Sequence, residues 1–385
     1  MSVTDLLAPQ DWTFPCPIAY GPGRIAEIGQ IAASVGMTNP LVVTDQGSRD
    51  LPFIAEIRGH LKTSGLHSGI SPNPRDDEVV AGCEVYRAGN HDGIIAVGGG
   101  SGMDGAKAIA LTVNNGLSIG DFDYLKPEPE VASPFPALIT VPTTAGTGAE
   151  TETTAMVTDT TAWTKYCAWH TQAKVSHVIL DPALTVGLPK NLTAWTGVDA
   201  LVHAIEAYVV PDFHPLCDGA ALEGLRLIRK HLVRAAEVPD DMEARGGMLV
   251  GSCLAGIAFL KGLGLVHAIS HMVGAEFDTH HGLTNAVVLP SVLRFNEAAM
   301  ADKILPLADA MGLEDRSFDG IYADTCGILD RLEIPHTLQD LGVTADRAEA
   351  LAIKAMEDGA AATNPRTASV AELQELVNTA LTIGR

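Results

Sequence analysis

Residues 93–111 read GIIAVGGGSGMDGAKAIAL. An unbroken apolar run with no polar alternation is buried on both faces, as a strand inside a parallel sheet must be. Glycines and then helix-forming residues follow it, which completes a strand–turn–helix unit. LVVTD (41–45), ALITVPTT (137–144) and VILDP (178–182) read as further strands. RIAEIGQIAASVG (24–36), FIAEIRGHLKTSG (53–65) and EVVAGCEVYRAGN (78–90) read as the helices between them. Strand and helix in this rhythm imply a parallel α/β sheet. SPNPRDD (71–77) and KPEPEVASPFP (126–136) are proline-rich connections.

From about residue 191 the strand signal disappears, and Ala/Leu-rich helical patterns run from 193–210 through 370–382. A chain of 385 residues exceeds what one core usually organises. The expected organisation is an α/β dinucleotide-binding domain over 1–183 with a parallel sheet, followed by an all-helical domain over 184–385.

The formal charge of −22 argues against nucleic acid or an anionic membrane surface as partner, since either requires a basic face. Six scattered cysteines without a C-x-x-C pair argue against structural zinc and disulfides, and fit a reducing compartment. The start, MSVTDLLAPQDWTF, lacks the basic and apolar segments of a signal peptide. No uncharged apolar stretch has the length of a membrane span. A cytoplasmic protein is expected.

Two loops and one acidic strand end carry the nucleotide argument. GGGSGMDGAK (98–107) follows a strand and opens a helix, whose free N–H groups and dipole suit a phosphate. It matches neither the nucleoside-triphosphate loop, because Lys107 stands in the wrong place, nor G-x-G-x-x-G in a first strand–helix turn. PTTAGTGAE (142–150) adds the hydroxyls of Thr143, Thr144 and Thr147. Asp45, closing LVVTD, could accept the adenosine ribose hydroxyls, which favours NAD over NADP. A tight turn, and for Asp45 a turn or cap residue, are the structural alternatives.

The second half carries the metal argument. In TGVDALVHAIEAYVV (196–210), Asp199, His203 and Glu206 fall on one stripe of an otherwise apolar helix. An ionised aspartate buried there needs a partner, and a divalent cation is one. An Asp–His hydrogen bond inside a helix pair is the alternative. GLVHAISHMVGAEFDTHH (264–281) adds His267 and His271 at i, i+4, then His280 and His281 after a bend. Asp with several His forms a mixed oxygen–nitrogen set suited to Fe²⁺ or Zn²⁺.

Over nearly its whole length the chain resembles the iron-containing (group III) alcohol dehydrogenases. The motifs that carry the likeness are GPGRIAEI (21–28), SPNP (71–74), GGGSGMDGAK (98–107), PTTAGTGAE (142–150), LDPALTVGLP (180–189), TGVDALVHAIEAY (196–208) and GLVHAISHMVGAEFDTHHGLTNAVVLP (264–290). The resemblance implies a nucleotide-binding α/β domain, an all-helical domain and a metal in the cleft between them. It implies Asp199, His203, His267 and His281 as metal ligands, His271 on the substrate side as a proton relay, and His280 as a non-ligand. It implies that Asp45, Asn73, Gly99, Gly100, Ser101, Thr143, Thr144, Thr147, Lys165 and Leu184 line NAD. The expected reaction passes hydride between a small alcohol, activated by Fe²⁺ or by Zn²⁺ or another divalent metal, and the nicotinamide. The reverse direction reduces an aldehyde.

Two departures from the family pattern stand out. Ala149 replaces a serine, and Lys261 in FLKGLG (259–264) stands where relatives carry small polar residues. A lysine there could meet an anionic substrate, the alternative being a solvated helix end. A zinc-dependent glycerol dehydrogenase and a dehydroquinate synthase-like lyase share the implied architecture and are the competing readings. A homodimer or higher homo-oligomer is expected from the resemblance.

Overall fold

The structure is a computed structural model that describes residues 16–162 and 164–385; the segment MSVTDLLAPQDWTF lies outside the described residues. The chain divides into two compact units, one ending at Gly187 and the other spanning Leu188–Arg385.

The first unit is built on eight strands: β1 (Ile18–Tyr20), β2 (Leu41–Asp45), β3 (Gly65–Ile70), β4 (Gly93–Gly98), β5 (Ala137–Pro142), β6 (Ala155–Asp159), β7 (Thr164–Ala168) and β8 (His177–Leu180). Six of them form one sheet in the order β1–β8–β5–β4–β2–β3. Every adjacent pair in it is parallel. Helices α1 (Ile28–Ser34), α2 (Pro52–Gly59), α3 (Asp76–Ala88) and α4 (Gly100–Thr112) connect them. All six residues of β4 are buried, as a central parallel strand requires. Ile28 and Ile57 from the helices pack with Val42, Ile95, Val97, Ile139 and Ile179 from the strands into one core.

Three features of this unit differ from the sequence reading. β3, GLHSGI, lacks a continuous apolar run because it is an edge strand, buried only at His67 and Ile70. The helix read over 53–65 therefore stops at Gly59, and the chain turns back into the sheet at Gly65. β6 and β7 form a separate antiparallel hairpin, whose half-exposed residues carry little apolar pattern. The boundary falls after Gly187 rather than after residue 183, because the 3₁₀ turn Pro182–Thr185 packs Leu184 into the α/β core.

The second unit contains no strand among the described residues. Its helices are α5 (Lys190–Val209), α6 (Pro215–Glu237), α7 (Met242–Ala258), α8 (Leu265–Phe277), α9 (His281–Asn296), α10 (Ile304–Met311), α11 (Phe318–Arg331), α12 (Ala348–Met356), α13 (Gly359–Ala362) and α14 (Val370–Thr382). α5 is buried around nearly its whole circumference from Thr193 on, and it packs against α6, α7 and α9. Polar side chains on α5 thus find their partners inside the protein, on α5 itself and on the helices packed against it. Met242–Lys261 is apolar and long enough to cross a membrane, yet it is mostly buried inside the protein and carries Glu243, Arg245 and Lys261.

Candidate functional site

In the first unit, the C-terminal ends of β2, β4 and β5 lie side by side in the sheet and gather the expected nucleotide residues. α4 opens at Gly100 with Gly99 as its N-cap, and its first-turn N–H groups have no acceptor within the helix. A Cβ on Gly100 would sit 2.8 Å from Thr147 Cγ2, so only glycine lets the two loops close on each other. Thr143 N donates to the Gly98 carbonyl at 2.9 Å, which ties the threonine loop to the glycine loop. Thr144 Oγ1 is buried without a protein partner among the described residues. Free helix N–H groups, half-buried Ser101 and an unsatisfied hydroxyl form a donor set that fits a diphosphate.

The remaining expected nucleotide residues separate into three cases. Asp45 accepts from Ser48 N and Ser48 Oγ, both at 2.9 Å, so its carboxylate also closes a turn. Asn73 and Lys165 meet each other, with Lys165 Nζ donating to Asn73 Oδ1 at 3.1 Å. Leu184 is 9% exposed and packs in the core cluster that includes Val97 of β4 and Val141 of β5.

In the second unit, α5, α8 and α9 bring Asp199, His203, His267 and His281 together, with one candidate ligand atom from each lying within 4.8 Å of all the others. The Nε2 atoms of His203 and His267 both stand 3.8 Å from Asp199 Oδ1, and His281 Nε2 stands 3.5 Å from it. The rings of His203 and His267 stack at 4.6 Å. Gly282 makes the approach of α9 to α5 possible: a Cβ there would strike the Trp195 carbonyl and lie 3.1 Å from Asp199 Cβ. The Asp199 side chain is 2% exposed, whereas that of His281 is 38% exposed, so the group opens on the His281 side.

The electrostatics of this group call for a cation. Burial would raise the Asp199 carboxyl, but the attraction of His203, His281 and His267 and the hydrogen bond from Asn285 hold it at about 2. Burial, with His203 alongside, drives His267 well below the ordinary imidazole value, so at neutral pH it is an uncharged lone-pair donor. An ionised carboxylate thus stands beside at least one imidazole lone pair, a donor set that a divalent cation would complete. One carboxylate and three imidazoles fit Fe²⁺ or Zn²⁺.

Glu206, on the same stripe of α5, takes a role that its sequence position did not specify. It accepts from Val266 N at 2.8 Å and Gly264 N at 3.1 Å, standing in for a cap at the start of α8. It also lies 2.7 Å from His267 Nδ1, which fixes that ring with its Nε2 lone pair toward Asp199. Burial raises the Glu206 carboxyl to about 7, although these N–H donors pull it down.

His271 stands apart from the four. Its Nδ1 lies 2.8 Å from Asp358 Oδ2, and its ring stacks 5.4 Å from that of His281. Asp358, at the N-cap of α13, is separated from His271 by 87 positions and left no local signal. His280 packs its ring 5.0 Å from Trp195 and is not one of the four grouped residues.

Lys261 corrects both sequence readings, the anion partner and the solvated helix end. It is 6% exposed, its Nζ donates to the Tyr208 carbonyl at 3.2 Å, and it forms an ion pair with Asp218. An ammonium so engaged is not offered to a substrate.

Comparison with known proteins gives the family of the chain. Residues 15–182 match the family model for iron-containing alcohol dehydrogenase, and residues 193–381 match the C-terminal model for Fe-containing alcohol dehydrogenases. The chain is 34% identical to the NAD-dependent methanol dehydrogenase of Bacillus methanolicus over 378 residues, covering 95% of this chain and 98% of that protein. It is 35% identical to the 1,3-propanediol dehydrogenase of Citrobacter freundii, covering 95% and 97%. The crystal structure of a 1,3-propanediol oxidoreductase superposes with a TM-score of 0.92 at 33% identity, covering 96% of this chain and 99% of that one.

Proposed function

The chain belongs to the iron-containing alcohol dehydrogenase family, and from that premise we propose how its residues serve an NAD-dependent alcohol dehydrogenase acting on small alcohols and aldehydes. The observation that carries the reading is the buried group of Asp199, His203, His267 and His281, which would hold the divalent cation. Gly99, Gly100, Ser101, Thr143, Thr144 and Thr147 would hold the NAD diphosphate, with Asp45 at the adenosine ribose. When bound, the cation supplies Lewis acidity toward an alcohol or carbonyl oxygen, and NAD accepts or returns the hydride.

The protein's own part is to bind, orient and move a proton. Asp358 holds His271 Nδ1, which leaves Nε2 as the atom that exchanges a proton with the substrate hydroxyl. His271→Ala is expected to lower turnover by about 10²-fold or more while metal content stays near that of the parent. Metal loss in that variant would make His271 a ligand and overturn the assignment.

Lys261 lends no support to an anionic substrate, so the substrate proposed is a small neutral alcohol or aldehyde. Six free cysteines support a reducing, cytoplasmic setting. The edge strand β1, with Ile18 and Tyr20 exposed, supports pairing with a second copy. The function is tested with a panel of alcohols and aldehydes read by NADH absorbance, using protein loaded separately with Fe²⁺ and Zn²⁺. No turnover with any pair would refute it.

A further inference from the structure

Asn285 is fully buried on α9, one helical turn after His281, and beyond its hydrogen bond to Asp199 it has been given no role toward the metal. Its side-chain Oδ1 accepts from Ser270 Oγ at 2.5 Å. Since Oδ1 can only accept and Asp199 is anionic, the amide orientation is fixed at both ends, with the NH₂ pointing into the ligand group. Nδ2 lies 2.7 Å from Asp199 Oδ1, 3.2 Å from His267 Nε2 and 3.1 Å from His281 Nε2.

The two imidazole nitrogens are acceptors for a structural reason. His267 Nδ1 faces the Glu206 carboxylate, so its proton sits there and Nε2 carries the lone pair. His281 Nδ1 lies 3.4 Å from Ser270 Oγ, whose proton goes to Asn285 Oδ1, so in the neutral ring Nδ1 is placed to donate and Nε2 to carry the lone pair. One NH₂ with two hydrogens therefore sits among three lone-pair atoms. These belong to three of the four residues that would bind the cation.

A cation bonded to these atoms at roughly 2.0–2.2 Å needs the same lone pairs that the amide engages. We infer that Asn285 sets the metal affinity of the Asp199–His203–His267–His281 group, its amide competing with the cation for three of the four ligands. The inference rests on the metal reading above. It makes Asn285 a positioning residue with two opposed effects. Without metal, the NH₂ relieves repulsion between the facing lone pairs and stabilises the fold. During metal binding, that same hydrogen bonding must be given up or rearranged.

The test uses the full chain, stripped of metal by chelation and titrated with Co²⁺, with the visible absorption of the bound ion and the melting temperature as readouts. Asn285→Ala is expected to melt lower than the parent when metal-free, by about 2–4 °C. It is expected to bind Co²⁺ about tenfold more tightly, the scale of one charge-assisted hydrogen bond no longer surrendered. An ordinary orienting donor would give the opposite sign in binding, so Co²⁺ affinity that is unchanged or weaker overturns the inference. Asn285→Leu keeps the bulk without the donor and is expected to bind Co²⁺ more tightly in the same way. It carries the comparison if Asn285→Ala does not fold, and weaker binding by it is equally fatal. A parent chain that binds no Co²⁺ overturns the metal reading itself, whereas a parent that binds one ion with no gain in the variants overturns only the role of Asn285.

Discussion

Asp199→Asn is expected to leave a folded chain with almost no bound metal and with kcat/KM reduced by about 10³-fold or more. Asparagine keeps the shape and removes the charge, so the change isolates electrostatics from packing. Asp199 is the one carboxylate among the four proposed ligands, and the candidate nitrogen of each of the other three lies 3.5–3.8 Å from its Oδ1. Without it, a divalent cation would be taken out of water into a group of imidazoles with no anion to offset its charge. Lewis-acid activation is worth several kcal/mol, and each 1.36 kcal/mol is a factor of ten in rate, which sets the expected loss. Metal analysis together with steady-state rates checks it. A variant that keeps one ion per chain, or full activity without one, would remove Asp199 from the site.

Glu206→Gln is expected to weaken metal binding by about 10–100-fold, the usual effect of removing a carboxylate behind a ligating histidine. The carboxylate receives N–H groups from Gly264 and Val266 and also faces His267 Nδ1. A glutamine has one oxygen to offer and brings an NH₂ that must point at one of these donors. If it points at His267, the ring proton moves to Nε2 and the lone pair is turned away from Asp199. If it points at Val266 N, that first-turn N–H of α8 loses its acceptor and the melting temperature falls. Competition with a chelator of known affinity measures the first outcome, and calorimetry the second. Affinity and melting temperature both equal to the parent would show that Glu206 does neither.

The parts of this protein that are legible in sequence are those whose physics is local. GIIAVGGGSGMDGAK announces a buried strand and a helix start because every side chain of the strand is apolar and every residue of the turn is small. Asp199 and His203 share a face by helical register, so their spacing alone reveals a polar pair on an apolar helix. β3 escapes such a reading because an edge strand needs no continuous apolar run, and β6–β7 because a half-exposed hairpin has little pattern to read. Asn285 and Asp358 escape it for another reason: their partners come from other helices, and only packing brings them within hydrogen-bond reach. Lys261 misleads because its counter-charge, Asp218, lies 43 residues away on α6. The family resemblance supplies the choice of His281 over His280, and the structure groups His281 with the other three.

The central claim is that Asp199, His203, His267 and His281 hold a divalent cation on which alcohol oxidation by NAD depends. The most direct measurement follows NADH formation from a small alcohol before chelation, after chelation, and after Fe²⁺ or Zn²⁺ is returned, with metal content determined at each stage. The account predicts that turnover disappears with the metal and comes back with about one ion per chain, and that His203→Ala neither binds the ion nor recovers. Undiminished turnover by a chain shown to be free of metal would contradict it.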